Sequence, residues 1–406
     1  IQESFGALPC ARVESHYGTS GTKRDVLTKL SRSCYPLPTD TPDALAIYAK
    51  RASLSAWRLA EAAVVAPQWL HLVEAATEIK GLESAGLFFH AHIGTGTQEK
   101  LLEAIRNHTT VQVEELRAGA FDLQWFRQVE SALGEETFDH ICKASKYMST
   151  CNEHLRLMRS LRAVRGGEEV SALRARIEAK RNKEDLMNYA LLPLGEEAEA
   201  ALLERYEYLQ QFREESKAFG SQKQESEKRA VRIALGNLAR NGGYGSIIRL
   251  VWNMESVRIK SLASCFVPKE REGLRIYIKV EEEKGAYIRY VKPGHGALAT
   301  VPPKLRKDPY VVRLRGVLKK LKSPYLYSTA MLEEAMEAKK PFRFSEVMRW
   351  MQHPVLAQLL GKAEFRTAGG TAGVFTKQGL RTSAGELLFP LEPNAEVRLV
   401  RFLNAG

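Results

Sequence analysis

Apolar positions along the chain keep a three-to-four residue spacing up to about residue 270 and then begin to alternate. The first spacing belongs to amphipathic helices and the second to half-buried strands. Residues 1–42 fit neither: Tyr17-Gly-Thr-Ser-Gly21 has turn chemistry and Cys34-Tyr-Pro-Leu-Pro38 is a stiff extended stretch. From Asp43 the helical pattern takes over. Asp43 to Val65 is rich in Ala and Leu and stops before Pro67. Helices are expected over Asp122 to Leu133 and over Glu135 to Met148, the latter with Phe138, Ile141 or Cys142, Ser145 and Met148 on one face. Glu169 to Tyr189 is highly charged, with Leu173, Ile177 and Leu186 as sparse anchors. Glu196 to Arg240 reads as one or two long helices interrupted near Gly220. Val231, Ala234, Leu235 and Leu238 mark its buried stripe, and Asn241-Gly-Gly243 ends it, because glycine takes the left-handed cap at little cost. Ile247 to Leu262 is a further helix.

Leu274 to Val280 and Ala286 to Val291 alternate on either side of Glu283-Lys-Gly285, the pattern of a hairpin. Helical spacing returns over Tyr310 to Lys322, with Val311, Leu314, Leu318 and Leu321 inward, then over Leu332 to Ala338 and Ser345 to Leu360. His353-Pro354 restarts the last of these, since proline suits the first helical turn. Val374 to Thr376, Glu386 to Phe389 and Val397 to Val400 alternate again. The expected fold is mostly α, an irregular helical array with a solenoid-like stack as one arrangement. A β-hairpin and a small C-terminal antiparallel sheet make it α+β overall. The organisation expected is an irregular segment over 1–42, a helical domain over 43–268, the hairpin over 269–303, a basic helix with C-terminal helices over 304–370, and the sheet over 371–406.

Composition narrows the class. The chain has 406 residues, 44% hydrophobic and 27% charged, enough for a sizeable core and against wholesale disorder. No run approaches the ~18 apolar residues of a membrane span. Five scattered cysteines, Cys10, Cys34, Cys142, Cys151 and Cys265, are no disulfide framework and point to a reducing compartment. The expected location is the cytoplasm, with an organellar matrix as the alternative. A chain starting at Ile1 is expected to be processed or excised from something longer.

Charge is the most informative feature. Between Lys284 and Tyr325 there are eleven Lys or Arg and one acid, Asp308, so this stretch carries most of the chain's net +12. The cations are Lys284, Arg289, Lys292, Lys304, Arg306, Lys307, Arg313, Arg315, Lys319, Lys320 and Lys322, with Tyr287, Tyr290, Tyr310 and Tyr325 among them. A basic hairpin followed by a basic amphipathic helix can track a phosphate backbone or meet an acidic protein surface. The plain alternative is a solvated face whose apolar stripe lies in the core.

Other constellations are weaker. His140, Cys142, Cys151 and His154 are zinc-type side chains, but on a helix His140 and Cys142 lie ~200° apart and do not converge on one ion. Glu83 with His90 and His92 forms a polar cluster beside Leu87-Phe-Phe89; buried, locally bonded histidines are its alternative reading. Gly18 to Lys23 lacks the four-residue spacer of a phosphate loop, and Gly242-Gly-Tyr-Gly245 is a loop after a helix. Lys180-Arg-Asn-Lys-Glu-Asp185 reads as a helix surface with paired charges. No nucleophile elbow, Walker motif, dinucleotide fingerprint, HExxH or EF-hand loop is present.

An ordered set of segments resembles the bacterial MolR-like family, large multi-helical proteins of unknown function once labelled molybdate metabolism regulators. The carrying segments include Tyr17-Gly-Thr-Ser-Gly21, Ala66-Pro-Gln-Trp69, Gly81-Leu-Glu-Ser-Ala85, Phe89-His-Ala-His92 and Gly119-Ala-Phe-Asp122. Lys180-Arg-Asn-Lys183, Ser216-Lys-Ala-Phe-Gly220, Asn237-Leu-Ala-Arg240, Val301-Pro-Pro-Lys304, Met331 to Glu337 and His353-Pro354 continue the order. The resemblance implies one block of a longer protein, a nucleic-acid-associated WGR module in some members, and MoxR-type ATPases or von Willebrand factor A proteins as partners. It carries over no catalytic residues. Tyr325-Leu-Tyr-Ser328 and Val400-Arg-Phe402 depart from the family's pattern.

The function expected is a non-enzymatic scaffold or interaction protein in a larger assembly, with no cofactor, no metal and no membrane span. Its contact would run through Arg289, Lys292, Lys304, Arg306, Lys307, Arg313, Arg315, Lys319, Lys320 and Lys322. The first alternative is an RNA- or DNA-binding component of a ribonucleoprotein or defence system. The second is an enzyme with a dispersed site near Glu83, His90 and His92.

Overall fold

The computed structural model describes residues 12–13, 21–94, 98–148, 153–281, 285–298, 300–337, 339–388 and 395–402. The chain divides into two compact units, Ile1–Gly243 and Tyr244–Gly406.

The first unit is helical apart from a short antiparallel pair, β1 (Arg12–Val13) and β2 (Gly21–Thr22). Contrary to the sequence expectation, part of the segment before residue 42 is helical: α1 spans Lys23–Ser33. Then follow α2 (Pro42–Arg51), α3 (Ala56–Val65), α4 (Leu70–Thr77), α5 (Leu82–Ile93), α6 (Glu99–Arg106) and α7 (Val113–Arg117). After them come α8 (Leu123–Leu133), α9 (Glu135–Ser145), α10 (Glu153–Val164), α11 (Val170–Lys180), α12 (Lys183–Tyr189), α13 (Ala198–Ser216) and α14 (Ser221–Asn241). Polar side chains set the starts. Thr41, Ser55, Asp122 and Asn182 each accept hydrogen bonds from the first-turn amides of the helices they precede.

Helix α5 is the axis of this unit. It is buried along most of its length, which is why its sequence shows no polar stripe. Gly81 starts it at φ +90°, and a Cβ there would meet the Ala132 Cβ at 2.9 Å. The Glu74 carboxylate accepts from the Gly81 and Glu83 amides at 3.1 and 2.7 Å. Around Phe88 an aromatic cluster closes edge to face: Phe121 at 5.8 Å, Trp125 at 5.4 Å and Phe89 at 5.8 Å between ring centroids. Asn237 of α14 ties distant loops together. Its amide oxygen accepts from the Phe121 N–H at 2.9 Å, and its amide nitrogen donates to the Gly119 and Met187 carbonyls.

The second unit begins with α15 (Ile247–Ser261). A four-stranded antiparallel sheet follows, in the order β3 (Lys269–Arg271), β4 (Leu274–Glu281), β5 (Gly285–Lys292), β6 (Gly296–Leu298). The expected turn at Glu283-Lys284 lies outside the described residues, but β4 and β5 pair up to Glu281 opposite Gly285. One long helix, α16 (Pro309–Glu337), covers the sheet's apolar face. Leu274, Ile276, Ile278, Ala286 and Tyr290 from the sheet close a single core with Val311, Leu314, Val317 and Leu321. Sequence spacing broke this helix after Lys322; the chain continues as helix through Pro324, and Leu332 and Ala335 remain buried further on.

The second sheet has six strands. They run in the order β11 (Leu387–Leu388), β10 (Gly379–Thr382), β9 (Ala372–Thr376), β8 (Ala363–Thr367), β12 (Glu396–Phe402), β7 (Pro341–Arg343). Between β7 and β8 lie α17 (Phe344–Trp350) and α18 (Pro354–Leu360), broken at the expected His353-Pro354. The His353 Nδ1 accepts from the Val355 and Leu356 amides, both at 3.2 Å, so it caps α18. Mostly helical with two small antiparallel sheets, the chain has an α+β fold. Among the described residues no helix is long and apolar enough to cross a membrane.

Candidate interaction ridge

The two compact polar candidates do not assemble. His90 and His92 lie on α5, pointing to different neighbours. His90 Nε2 lies 2.9 Å from the Val64 carbonyl, and His92 Nδ1 lies 2.8 Å from the Phe88 carbonyl. The Glu83 carboxylate instead meets exposed His71 at 3.1 Å. Of the zinc-type set, Cys151 lies outside the described residues. Cys142 Sγ contacts Met158 Sδ at 3.3 Å, and burial pushes its thiol up to about 12. His154 is hydrogen-bonded to Ser145 at 3.0 Å, while His140 lies 3.4 Å from Glu61. Among the described residues no group of His, Cys, Asp and Glu is placed to hold a metal ion.

The buried histidines have a measurable consequence. Burial pushes His90 down to about 3 and His92 down to about 4. Unfolding exposes imidazoles that titrate near ~6.5, so below that pH the unfolded chain binds more protons. The stability these two histidines contribute is complete above pH ~6.5 and is lost as the pH falls towards the folded values. Unfolding should take up about one proton in total at these residues near pH ~6.5, rising to about two near pH ~5, each full proton adding roughly 1.4 kcal/mol per pH unit. Urea unfolding at pH 7 and pH 5 measures this; buried His353, also pushed down to about 3, adds to the total, and His90→Gln should remove only His90's share, roughly 1.4 kcal/mol per pH unit at full uptake. An unchanged slope in that variant would contradict a neutral, buried His90.

The basic stretch is the candidate that survives, and folding redistributes it. Lys304, Arg306 and Lys307 flank the turn before α16, and Arg313, Arg315 and Lys319 lie on its outer face; all six are exposed. The side chains of Lys320 and Lys322 lie outside the described residues, as does Lys284. The one acid, Asp308, is spent on capping: its Oδ1 accepts from the Tyr310 and Val311 amides at 2.9 and 3.1 Å. Among the described residues no carboxylate lies within ion-pair distance of Lys304, Arg306, Lys307, Arg313 or Arg315. Arg315 donates to the Arg306 carbonyl at 3.1 Å, tying turn and helix into one ridge.

The hairpin half does not join this ridge. Arg289 pairs across the strands with Tyr277, on the sheet face turned away from α16, and its guanidinium lies 4.0 Å from Glu281. Lys292 is exposed at the end of β5. Nor are the tyrosines interleaved with the cations. Tyr290 is buried in the core, Tyr310 lies half-buried beneath Lys269 at 5.2 Å, and Tyr287 shares the far face with Arg289. Among the described residues the ridge carries one exposed apolar side chain instead. Val312 is 53% exposed, and one turn on Gly316 leaves bare backbone, with nothing within 4 Å of where a Cβ would stand. Spacing of three and four places Val312, Gly316 and Lys319 in line, flanked by Arg313 and Arg315.

No curated protein and no solved structure matches the chain. The expected kinship with MolR-like proteins does not hold: the model that matches is of another family of unknown function, and nothing connects it with MolR-like proteins. The match spans residues 4–254, so it takes in the first unit and ends within α15, before both larger sheets and the ridge. Since that match covers more than half of its length, the chain belongs to the family of unknown function DUF5724.

Proposed function

We propose that this protein is a non-enzymatic interaction subunit that docks the exposed ridge of α16 against an acidic surface of a protein partner. The observation that carries this reading is the make-up of the ridge. Exposed apolar surface at Val312 and open backbone at Gly316 are ringed by cations of one sign. An apolar centre with a charged rim is how protein interfaces are built. Arg315 and Lys319, four residues apart on one helix, repel each other by about 0.2–0.5 kcal/mol in the free chain. An acidic partner would relieve that cost.

Nucleic acid remains the second reading, favoured by Lys304, Arg306, Lys307, Arg313 and Arg315, which have no carboxylate within ion-pair distance among the described residues. The tyrosines weigh against single-stranded stacking, because none of those described stands on the ridge. The test is purification of the full chain from its source at low salt, with and without nuclease, beside the variant Arg313→Glu/Arg315→Glu/Lys319→Glu. A stoichiometric protein that survives nuclease and is absent from the variant supports the reading. A partner kept equally by the variant would refute it, and loss on nuclease treatment would transfer the ridge to nucleic acid.

A further inference from the structure

The six-stranded sheet has a second concentration of positive charge, assembled from separate strands. Its inner face holds Phe342, Val397, Leu399, Phe365, Phe375 and Leu380, all buried. The alternate residues point outwards and include Arg343, Arg366, Arg381 and Arg398, all exposed. Two of these stand directly opposite each other: Arg398 of β12 pairs with Arg366 of β8. Residues so paired have Cα atoms roughly 4.5–5.5 Å apart, and like charges there destabilise the sheet. Elsewhere the same strands resolve their charges. Arg401 is bonded to Glu364 at 2.5 Å, and Glu396 stands across from Arg343. Arg366 and Arg398 have no carboxylate within ion-pair distance among the described residues.

The opposed pair does not lie on flat surface. A cleft of about 540 Å³ opens over β8 and β12, lined by Arg366, Arg398, Glu396 and the Thr367–Gly370 turn, with Met336 of α16 and Lys339, two residues past that helix, on its wall. Lys339 is held at φ +48° where the chain leaves the helix. Its own N–H donates to the Met336 carbonyl and the next amide, that of Lys340, donates to the Ala335 carbonyl. These bonds satisfy carbonyls at the helix end that would otherwise face an anion. Three cations, from β8, β12 and the chain just after α16, therefore border one concave space, with a single acid at its edge.

We propose that this cleft is a binding site for the phosphoryl group of a small phosphorylated ligand, held between Arg366 and Arg398 with Lys339 as third donor. Guanidinium forks match phosphate oxygens two at a time, and a dianion between two facing arginines turns their repulsion into attraction. The site is separate from the α16 ridge and needs no partner protein.

The test titrates inorganic phosphate into the full chain, with chloride holding the ionic strength constant, by calorimetry and by the midpoint of thermal unfolding. Saturable binding at one site with a rise in midpoint is expected. Arg366→Gln and Arg398→Gln should each weaken it about tenfold or more, as loss of a charge-assisted bond does. Arg381→Gln, on the same face outside the cleft, should leave it intact. Without phosphate, Arg398→Gln should unfold at a higher temperature than the wild type, because the cross-strand repulsion is gone. No saturable binding by the wild type, or equal binding by Arg366→Gln and Arg398→Gln, would overturn the proposal.

Discussion

Replacing Arg181 with alanine should destabilise the first unit by about 3–5 kcal/mol, the cost of leaving a buried charge without its partner. That is a large share of the ~5–15 kcal/mol that holds a typical domain folded. Arg181 follows α11 in the left-handed conformation, φ +48°, which turns its side chain towards α13 and α14. Its Nε and Nη2 donate to the two oxygens of Glu227 at 3.2 and 2.9 Å, and Nη1 reaches Glu215 at 2.7 Å. The guanidinium stacks on Phe212 at 3.9 Å. Glu227 is 1% exposed, and its other close donor is the Ser216 hydroxyl at 2.5 Å. Burial alone would raise the Glu227 carboxyl; the hydrogen bonds from Arg181 and Ser216 outweigh it and hold the group below its ordinary value. A carboxyl depressed in the folded state stabilises above its unfolded pKa, and that stability is lost as pH falls through the folded value. The Arg181→Ala penalty should therefore shrink on acidification, since the carboxyl, left with only Ser216 and Lys223 at 3.9 Å, can then protonate. Urea unfolding of both proteins at neutral and acid pH measures it. A difference under about 1 kcal/mol at pH 7 would sink the account. The double replacement Arg181→Met/Glu227→Leu should recover most of the loss, as apolar substitutes for buried pairs often do.

The same residue shows where sequence reading stopped. Lys180 to Asp185 reads locally as a charged helix surface, yet Arg181 ends one helix, Asn182 caps the next, and Asp185 is buried. The partner that changes Arg181 from surface charge to clamp lies 46 residues away, and no local spacing encodes it. Features that depend on one element were legible. The stripe Val231, Ala234, Leu235 and Leu238 is buried in α14, the break at Gly220 separates α13 from α14, and the alternation of β4 and β5 sorts core from surface. The basic stretch was visible because its charges are contiguous. Its division was not, because strand parity sends Arg289 to the face opposite α16. The arginine pair Arg366 and Arg398 gave no linear signal at all; it arises because β12 inserts between β7 and β8.

The mistaken kinship has a related cause. The segments that suggested MolR-like proteins hold residues whose work is structural. Gly81 makes the close start of α5, Asp122 caps α8, and Asn237 and Arg240 bind the backbone around Phe121. Caps, tight turns and buried amides solve problems common to many helical arrays, so similar short strings recur where the function differs. A family drawn from such strings describes packing.

Reversing Arg313, Arg315 and Lys319 to glutamate should abolish partner capture while leaving the fold intact, and salt should then identify the partner's class. All three side chains are exposed on the outer face of α16, so each replacement should change stability by no more than about 0.5 kcal/mol, with about 0.5–1.5 kcal/mol more for the lost bond from Arg315 to the Arg306 carbonyl. The change in charge, by contrast, is large, and like charges facing across an interface cost several kcal/mol. If the ridge meets phosphates, six exposed cations imply a loss of roughly 10³-fold in affinity between ~50 and ~200 mM salt, from a slope near −0.9 per contact. An acidic protein surface centred on Val312 should lose far less, because burial of that apolar side chain is insensitive to screening and the rim charges act mainly on association rate. Val312→Ser then separates the two. It should weaken a protein partner about tenfold, as loss of a buried apolar contact at an interface centre does, and leave phosphate-backbone binding unchanged. Equal binding by the charge-reversed chain would mean that α16 carries its charge for solubility alone.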